Sequence, residues 1–222
     1  MAASTRSEER TPEPRWPAAI ALLAAGCLWM ALPQTLSVGP GWLLLATMLA
    51  LVLSIVASHR RGYHTLYHVL ALVANGVITC AMIASLIFLI EGLPKHRESP
   101  GALLRGAGLL WMANVLVFAL WYWRLDAGGP LARDRRTGRV DSSFLFPQML
   151  IRDSAAEDFG KKPSSWSPHF VDYLFLAFNT STAFSPTDTA VLSRWAKLGM
   201  MTQALISLAI VVLLAARGVG IM

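Results

Sequence analysis

Four stretches of this chain are apolar over about a membrane's width with almost no charge: Trp16 to Leu36, Trp42 to Ser58, Leu66 to Leu93 and Leu103 to Trp123. Pro33 lies near the end of the first, and the third is interrupted by Asn75 and by Glu91 near its end. A helix rises 1.5 Å per residue, so about 20 apolar residues cross a hydrocarbon core of about 30 Å. Within that core each backbone N–H and C=O must be satisfied by the segment itself, which the α-helix does. Charged residues make up 14% of the 222 positions and the mean hydropathy is +0.51. A soluble domain carries about 25% charged residues. The chain is therefore expected to be an all-α, polytopic transmembrane helix bundle.

Two further apolar segments follow a long polar connection. Ser167 is a candidate cap for the fifth, Pro168 suits the first helical position, and Asp172 places an anion near the positive end of the helix. This segment must stop before Pro186, because the residue preceding a proline is pushed out of the helical region. About 17 residues give roughly 25 Å, marginally short of a crossing, so a re-entrant path stays open beside a full one. The sixth segment is expected to restart with Ser185 as cap, Pro186 at the first position and Asp188 in a capping-box place. Its opening turns, with Arg194, Trp195 and Lys197, are expected at the membrane interface.

The polar tail from Met1 to Arg15 is expected to be disordered and cytoplasmic, with residues 16–222 forming the transmembrane domain. Residues 125–167 read as a long cytoplasmic loop. It opens with Gly128-Gly129-Pro130, continues with mixed charge, and contains an apolar patch, Phe144-Leu145-Phe146-Pro147, expected to dock on the bundle or lie at the interface. The cluster Trp121-Tyr122-Trp123 followed by Arg124 reads as a headgroup anchor. With six crossings, fourteen Lys and Arg collect on the N-terminal side against five on the other. The positive-inside rule then places both termini in the cytoplasm, and a re-entrant fifth segment moves the C-terminus outside. The expected location is a bacterial inner membrane.

Between the fifth and sixth segments lies a hydroxyl-rich break, Asn179-Thr180-Ser181-Thr182-Ala183-Phe184-Ser185-Pro186-Thr187-Asp188. Polar groups at membrane depth are expensive unless they line a cavity or are buried in protein. From Asp172-Tyr173-Leu174-Phe175, through Thr180-Ser181-Thr182 and Asp188, to the final apolar helix, the order of residues resembles the pore module of tetrameric cation channels. That resemblance covers about the last fifty residues. It implies a short pore helix, a filter and an inner helix, with Asn179, Thr180, Ser181, Thr182, Ser185 and Asp188 along a path and Asp172 orienting the pore helix. No glycine occurs between Gly160 and Gly199, whereas a filter of inward-pointing carbonyls needs backbone angles that glycine adopts most easily. A path here would be lined by side-chain hydroxyls instead. The stretch Phe178 to Trp195, with Phe144-Leu145-Phe146-Pro147, also resembles uncharacterised bacterial polytopic membrane proteins, a family that implies no mechanism.

The competing reading is structural. Thr180, Ser181 and Thr182 can bond carbonyls of their own helix, and capping alone accounts for Ser185 to Asp188. The alternative to permeation is thus a structural or interaction membrane protein. His64 and His68 share a helix face, but no further ligand follows at metal spacing, and neighbouring Tyr63 and Tyr67 suit a helix end. Asn75 and Asn114 read as helix–helix hydrogen-bonding groups. Cys27 and Cys80 read as buried thiols outside any disulfide framework. A lipidation signal ending at Cys27 is the alternative to a plain first helix. No catalytic motif is present, so no enzymatic activity, metal or cofactor is expected. The basic residues lie between helices and not in an aromatic-interleaved patch, which argues against nucleic acid. The expected partner is the lipid bilayer, with a homo-oligomer left open.

Overall fold

The computed structural model describes residues 13–92, 100–135, 142–149, 166–185 and 188–219. Its helices are α1 (Trp16–Ala31), α2 (Gly41–Arg60), α3 (His64–Gly92), α4 (Pro100–Leu125), α5 (Pro130–Arg135), α6 (Phe170–Ala183) and α7 (Arg194–Val219). Two short strands, β1 (Phe144–Leu145) and β2 (Ala190–Val191), pair antiparallel, with Phe144 opposite Val191. Among the described residues four helices, α2, α3, α4 and α7, are long and apolar enough to cross a membrane. At 16 residues α1 is shorter, and α6 has 14.

Local chemistry sets the boundaries of these helices. A proline sits in the first turn of α1, where the missing N–H has no intrahelical partner to lose. The helix stops at Ala31, and Leu32, which precedes Pro33, is extended. A turn at Arg61 and Gly62 reverses the chain between α2 and α3. Where α4 ends, Gly129 has φ +86°, and a Cβ there would lie 2.7 Å from the Arg124 carbonyl oxygen. Only glycine lets the chain turn so tightly into α5.

The bundle is organised around α4, which packs on α1, α3, α6 and α7. Of its candidate span 61% is buried, against 33% or less for the other three. Outward faces of α2, α3 and α7 carry large exposed apolar side chains such as Leu53, Ile83 and Leu205. Such faces suit a membrane protein, whose apolar surface is covered by lipid. Cys27 and Cys80 lie on exposed faces, not buried as expected, and neither forms a disulfide.

Several boundary expectations change. His169, not Ser167, is the N-cap of α6, and Asp172 closes a capping box by accepting the His169 N–H at 2.7 Å. The sixth helix does not restart at Ser185. The chain beyond Phe184 instead runs to β2, and α7 begins at Arg194, where the Ser193 hydroxyl accepts the Ala196 N–H at 3.4 Å. Pairing with β1 explains the delay, because strand bonds and the Leu192 N–H to the Ser143 carbonyl (2.8 Å) satisfy backbone that a helix would otherwise have used. Pro186 and Thr187 lie outside the described residues. Tyr122 and Trp123 are each 1% exposed, so this cluster is a core junction and not a headgroup belt.

The long connection is partly built into the fold. Phe144 is fully enclosed, with edge contacts to Tyr122, Tyr173 and Trp195, so the apolar patch docks on the bundle. Glu13 to Arg15, expected in the disordered tail, are likewise held: Glu13 is buried, and Arg15 pairs with Asp134 at 2.9 Å.

Candidate functional site

The hydroxyl break belongs to α6, whose direction decides what it can do. Tyr173, in the first turn of α6, donates to Asp126 just past the end of α4 at 2.6 Å. The Ser143 N–H also bonds Asp126, and Trp195, at the start of α7, donates to the Ser143 hydroxyl at 3.0 Å. Both α6 and α7 thus begin beside the C-terminal end of α4. Deeper in the bundle, Trp111 of α4 meets Phe178 edge-on and donates to the Ser181 carbonyl at 3.4 Å. From Tyr173 to Ser181, α6 therefore descends α4 towards its beginning. Asn114 and Tyr122 of α4 reach Ser207 and Gln203 of α7 in the same antiparallel order. So α6 and α7 run parallel, and β2 and the start of α7 lie at the end where α6 began.

The expected path residues divide into three groups. Thr180 is buried and donates to the Leu176 carbonyl at 2.8 Å, while Thr182, exposed, donates to the Phe178 carbonyl at 3.0 Å. Each hydroxyl is satisfied by its own helix, as the structural reading anticipates. Ser181 is drawn instead into a network between helices. Asn179 is half-buried, and Ser185 and Asp188 are exposed. Asp172 orients the start of α6 by capping it.

That network centres on a residue the sequence reading passed over. Gln203 of α7 donates from Nε2 to the Ala177 carbonyl (2.7 Å) and to the Ser181 hydroxyl (2.8 Å) of α6. Its Oε1 accepts the Tyr122 hydroxyl of α4 at 2.6 Å. Asn114 extends the network by donating to the Ser207 hydroxyl at 2.8 Å and to the Gln203 carbonyl at 3.2 Å. All five side chains are buried, so every bond acts where competing water is scarce. Gln203 and Ser207, four residues apart in an otherwise apolar run, were the available signal. Asn75 departs from its expected role: it is buried in α3, and neither side-chain amide atom has a partner.

A second polar cluster closes the end at which α6 and α7 begin. Glu13 and Arg133 form an ion pair at 2.9 Å, with side chains only 4% and 2% exposed. Trp123 donates to the same carboxylate, and Arg133 also donates to the Trp123 and Asp126 carbonyls at 3.0 Å. The Arg133 guanidinium lies over the Tyr173 ring, 5.2 Å from its centroid. Burial alone would lower the pKa of Arg133, but Tyr173, Glu13 and Asp126 outweigh it and raise it above its ordinary value. The Asp126 carboxylate accepts Tyr173, Ser142 and the Ser143 N–H. The cluster ties the N-terminal segment, the α4–α5 corner, β1 and α6 together, and pattern reading could not find it because its members are far apart in sequence.

Among the described residues no group of three or more His, Cys, Asp or Glu is placed to hold a metal. His64 is exposed, and His68 stacks edge-on to Tyr67. Two apolar hollows of about 670 and 400 Å³ flank the outer face of α6, the first against α1 and the second against α4. Chemically, the arrangement is a short helix clamped at both depths between two long ones, with Ser185 and Asp188 exposed beyond it. No family model matches the chain, and no similar curated protein or solved structure was found.

Proposed function

We propose that this is an integral protein of a bacterial inner membrane in which α4, α6 and α7 form a re-entrant module of the pore type. Permeation runs along a hydroxyl-lined seam between copies of the chain. One observation carries the reading: α6 and α7 begin at the same end of the bundle and run parallel. A short helix that enters and returns, followed by a long helix that crosses, is tolerated in a bilayer only where its irregular backbone is buried in protein or lines a water-filled path.

In this reading α1, α2, α3, α4 and α7 cross, and α6 does not. Arg194 and Lys197 then join the N-terminal side and Arg217 the other, giving fifteen Lys and Arg against four. That asymmetry supports a cytoplasmic N-terminus and an external C-terminus. Thr182, Ser185 and Asp188 are exposed on the single chain, so they can line a path only when another copy supplies the facing wall.

Flux of small ions into proteoliposomes tests the reading. Thr182→Val and Asp188→Ala are expected to lower wild-type flux, while Thr180→Val, whose hydroxyl is enclosed, leaves it unchanged. Background-level flux for a correctly folded wild type would overturn permeation. The second reading, a structural or interaction membrane protein, is favoured by one observation: Thr180, Ser181 and Thr182 all have hydrogen-bond partners within the fold.

A further inference from the structure

We infer that the groove along the outer face of α6 seats α7 of a second copy of this chain, an inference that rests on the homo-oligomeric reading above. The two hollows beside α6 share Leu116, Val171 and Leu174, so they adjoin along the helix and together make up the groove. Ile20 of α1 bounds it on one side and Met112 of α4 on the other. It is apolar along its length except at the mouth, where Asp172 and His169 line it.

The matching ridge lies on α7. Leu198, Met201, Leu205, Leu208 and Val212 are all exposed and alternate at spacings of three and four residues, which places them on one face of a helix. A ridge of this spacing packs into the groove of a neighbouring helix. Just before it stand two exposed cations, Arg194 and Lys197.

Depth brings the charges together. Gln203 bonds Ala177 and Ser181, so these turns of α7 and α6 are level. Following both parallel helices back by the same six residues sets Lys197 level with residues 171–175, the turn that holds Asp172. Rotation about an axis along the helices preserves depth, so Lys197 of one copy reaches the depth of Asp172 on the next. An acyl chain could fill the apolar part of the groove, but it would not explain a cation fixed at that level. Because ridge and groove are different surfaces, the contact is head-to-tail and closes into a ring.

Disulfide trapping tests this in native membranes, with full-length chains carrying Cys27→Ser and Cys80→Ser. Two differently tagged chains are co-expressed, one with Phe175→Cys and one with Leu198→Cys, and then oxidised. A covalent species carrying both tags is expected. It should be missing when Leu53→Cys on α2 replaces Phe175→Cys, and its yield should fall several-fold when Lys197→Glu is added to the Leu198→Cys chain. An unchanged yield with Lys197→Glu would overturn the charge match. No mixed species, while the extracted wild type has an oligomer's native mass, would overturn this interface and leave the oligomer standing. No mixed species with a monomeric mass would remove both, with lipid as the occupant of the groove.

Discussion

Tyr122 on α4 donates its hydroxyl to Gln203 on α7 at 2.6 Å, and the same Gln203 amide holds two groups of α6. One side chain therefore joins the three helices of the module. Its two donors and its acceptor atom are all occupied inside the bundle, which limits both the rotation and the depth of α6.

Replacing Gln203 by Leu should loosen α6 selectively. Interhelical hydrogen bonds in membrane proteins average about 0.6 kcal/mol and reach about 1.7 kcal/mol. With three bonds lost, a destabilisation of about 1–3 kcal/mol is expected, read from unfolding in mixed micelles. Tyr122→Phe should cost less, and the double variant should fall short of the sum because the two changes remove a shared bond. Strict additivity would mean that the pair does not act together.

Glu13→Gln should be among the most damaging single changes near the N-terminus. Removing one partner of an enclosed ion pair leaves the other charge uncompensated, at about 3–5 kcal/mol. The combined Glu13→Leu and Arg133→Met replacement should recover a large part of that loss. Comparing the Tm of the single and double variants in detergent provides the check.

The Arg133 contribution should not vary with pH between 7 and 10. Its folded pKa is raised, so its stabilisation is fully present below the guanidinium's ordinary value and is lost only as pH rises through the still higher folded value. The Tm difference between wild type and Arg133→Met is therefore expected to stay constant across that window. A difference that shrinks by pH 9 would contradict it.

Reporters fused after Arg124 and after Arg217 should lie on opposite sides of the membrane. A re-entrant α6 leaves one crossing, α7, between these points, whereas a crossing α6 would leave two. Same-side reporters would reject the re-entrant module.

Much of the helical architecture was legible because it rests on local quantities. Long uncharged runs determined α2, α3 and α4, and Pro33 and Pro186 marked where helices had to stop. Asp172 lies in the first turn of α6 as expected for an anion there, but the cap is His169 and not the expected Ser167. The last helix does not start where its local chemistry favours. Ser185-Pro186-Thr187-Asp188 satisfies every local rule for an N-terminus, yet β1 pairs with residues 190–191 and delays α7 to Arg194. Local capping contributes about 1 kcal/mol, which tertiary pairing and the docking of Trp195 and Phe144 can override.

The sequence by itself determined that this chain is helical and apolar enough for a membrane, and that its polar exception lies at residues 179–188. Hydropathy and proline act over a few residues, so both can be read along the chain. Only the tertiary structure decided how that exception is used. Thr180 and Thr182 turn back on their own helix, and Ser181 is held by Gln203 from 22 positions away. The parallel run of α6 and α7 was likewise decided by contacts between distant residues, Tyr173 with Asp126 and Trp195 with Ser143. A hydroxyl has the same composition whether it faces a path or a carbonyl, and which it faces depends on the neighbours that folding brings to it.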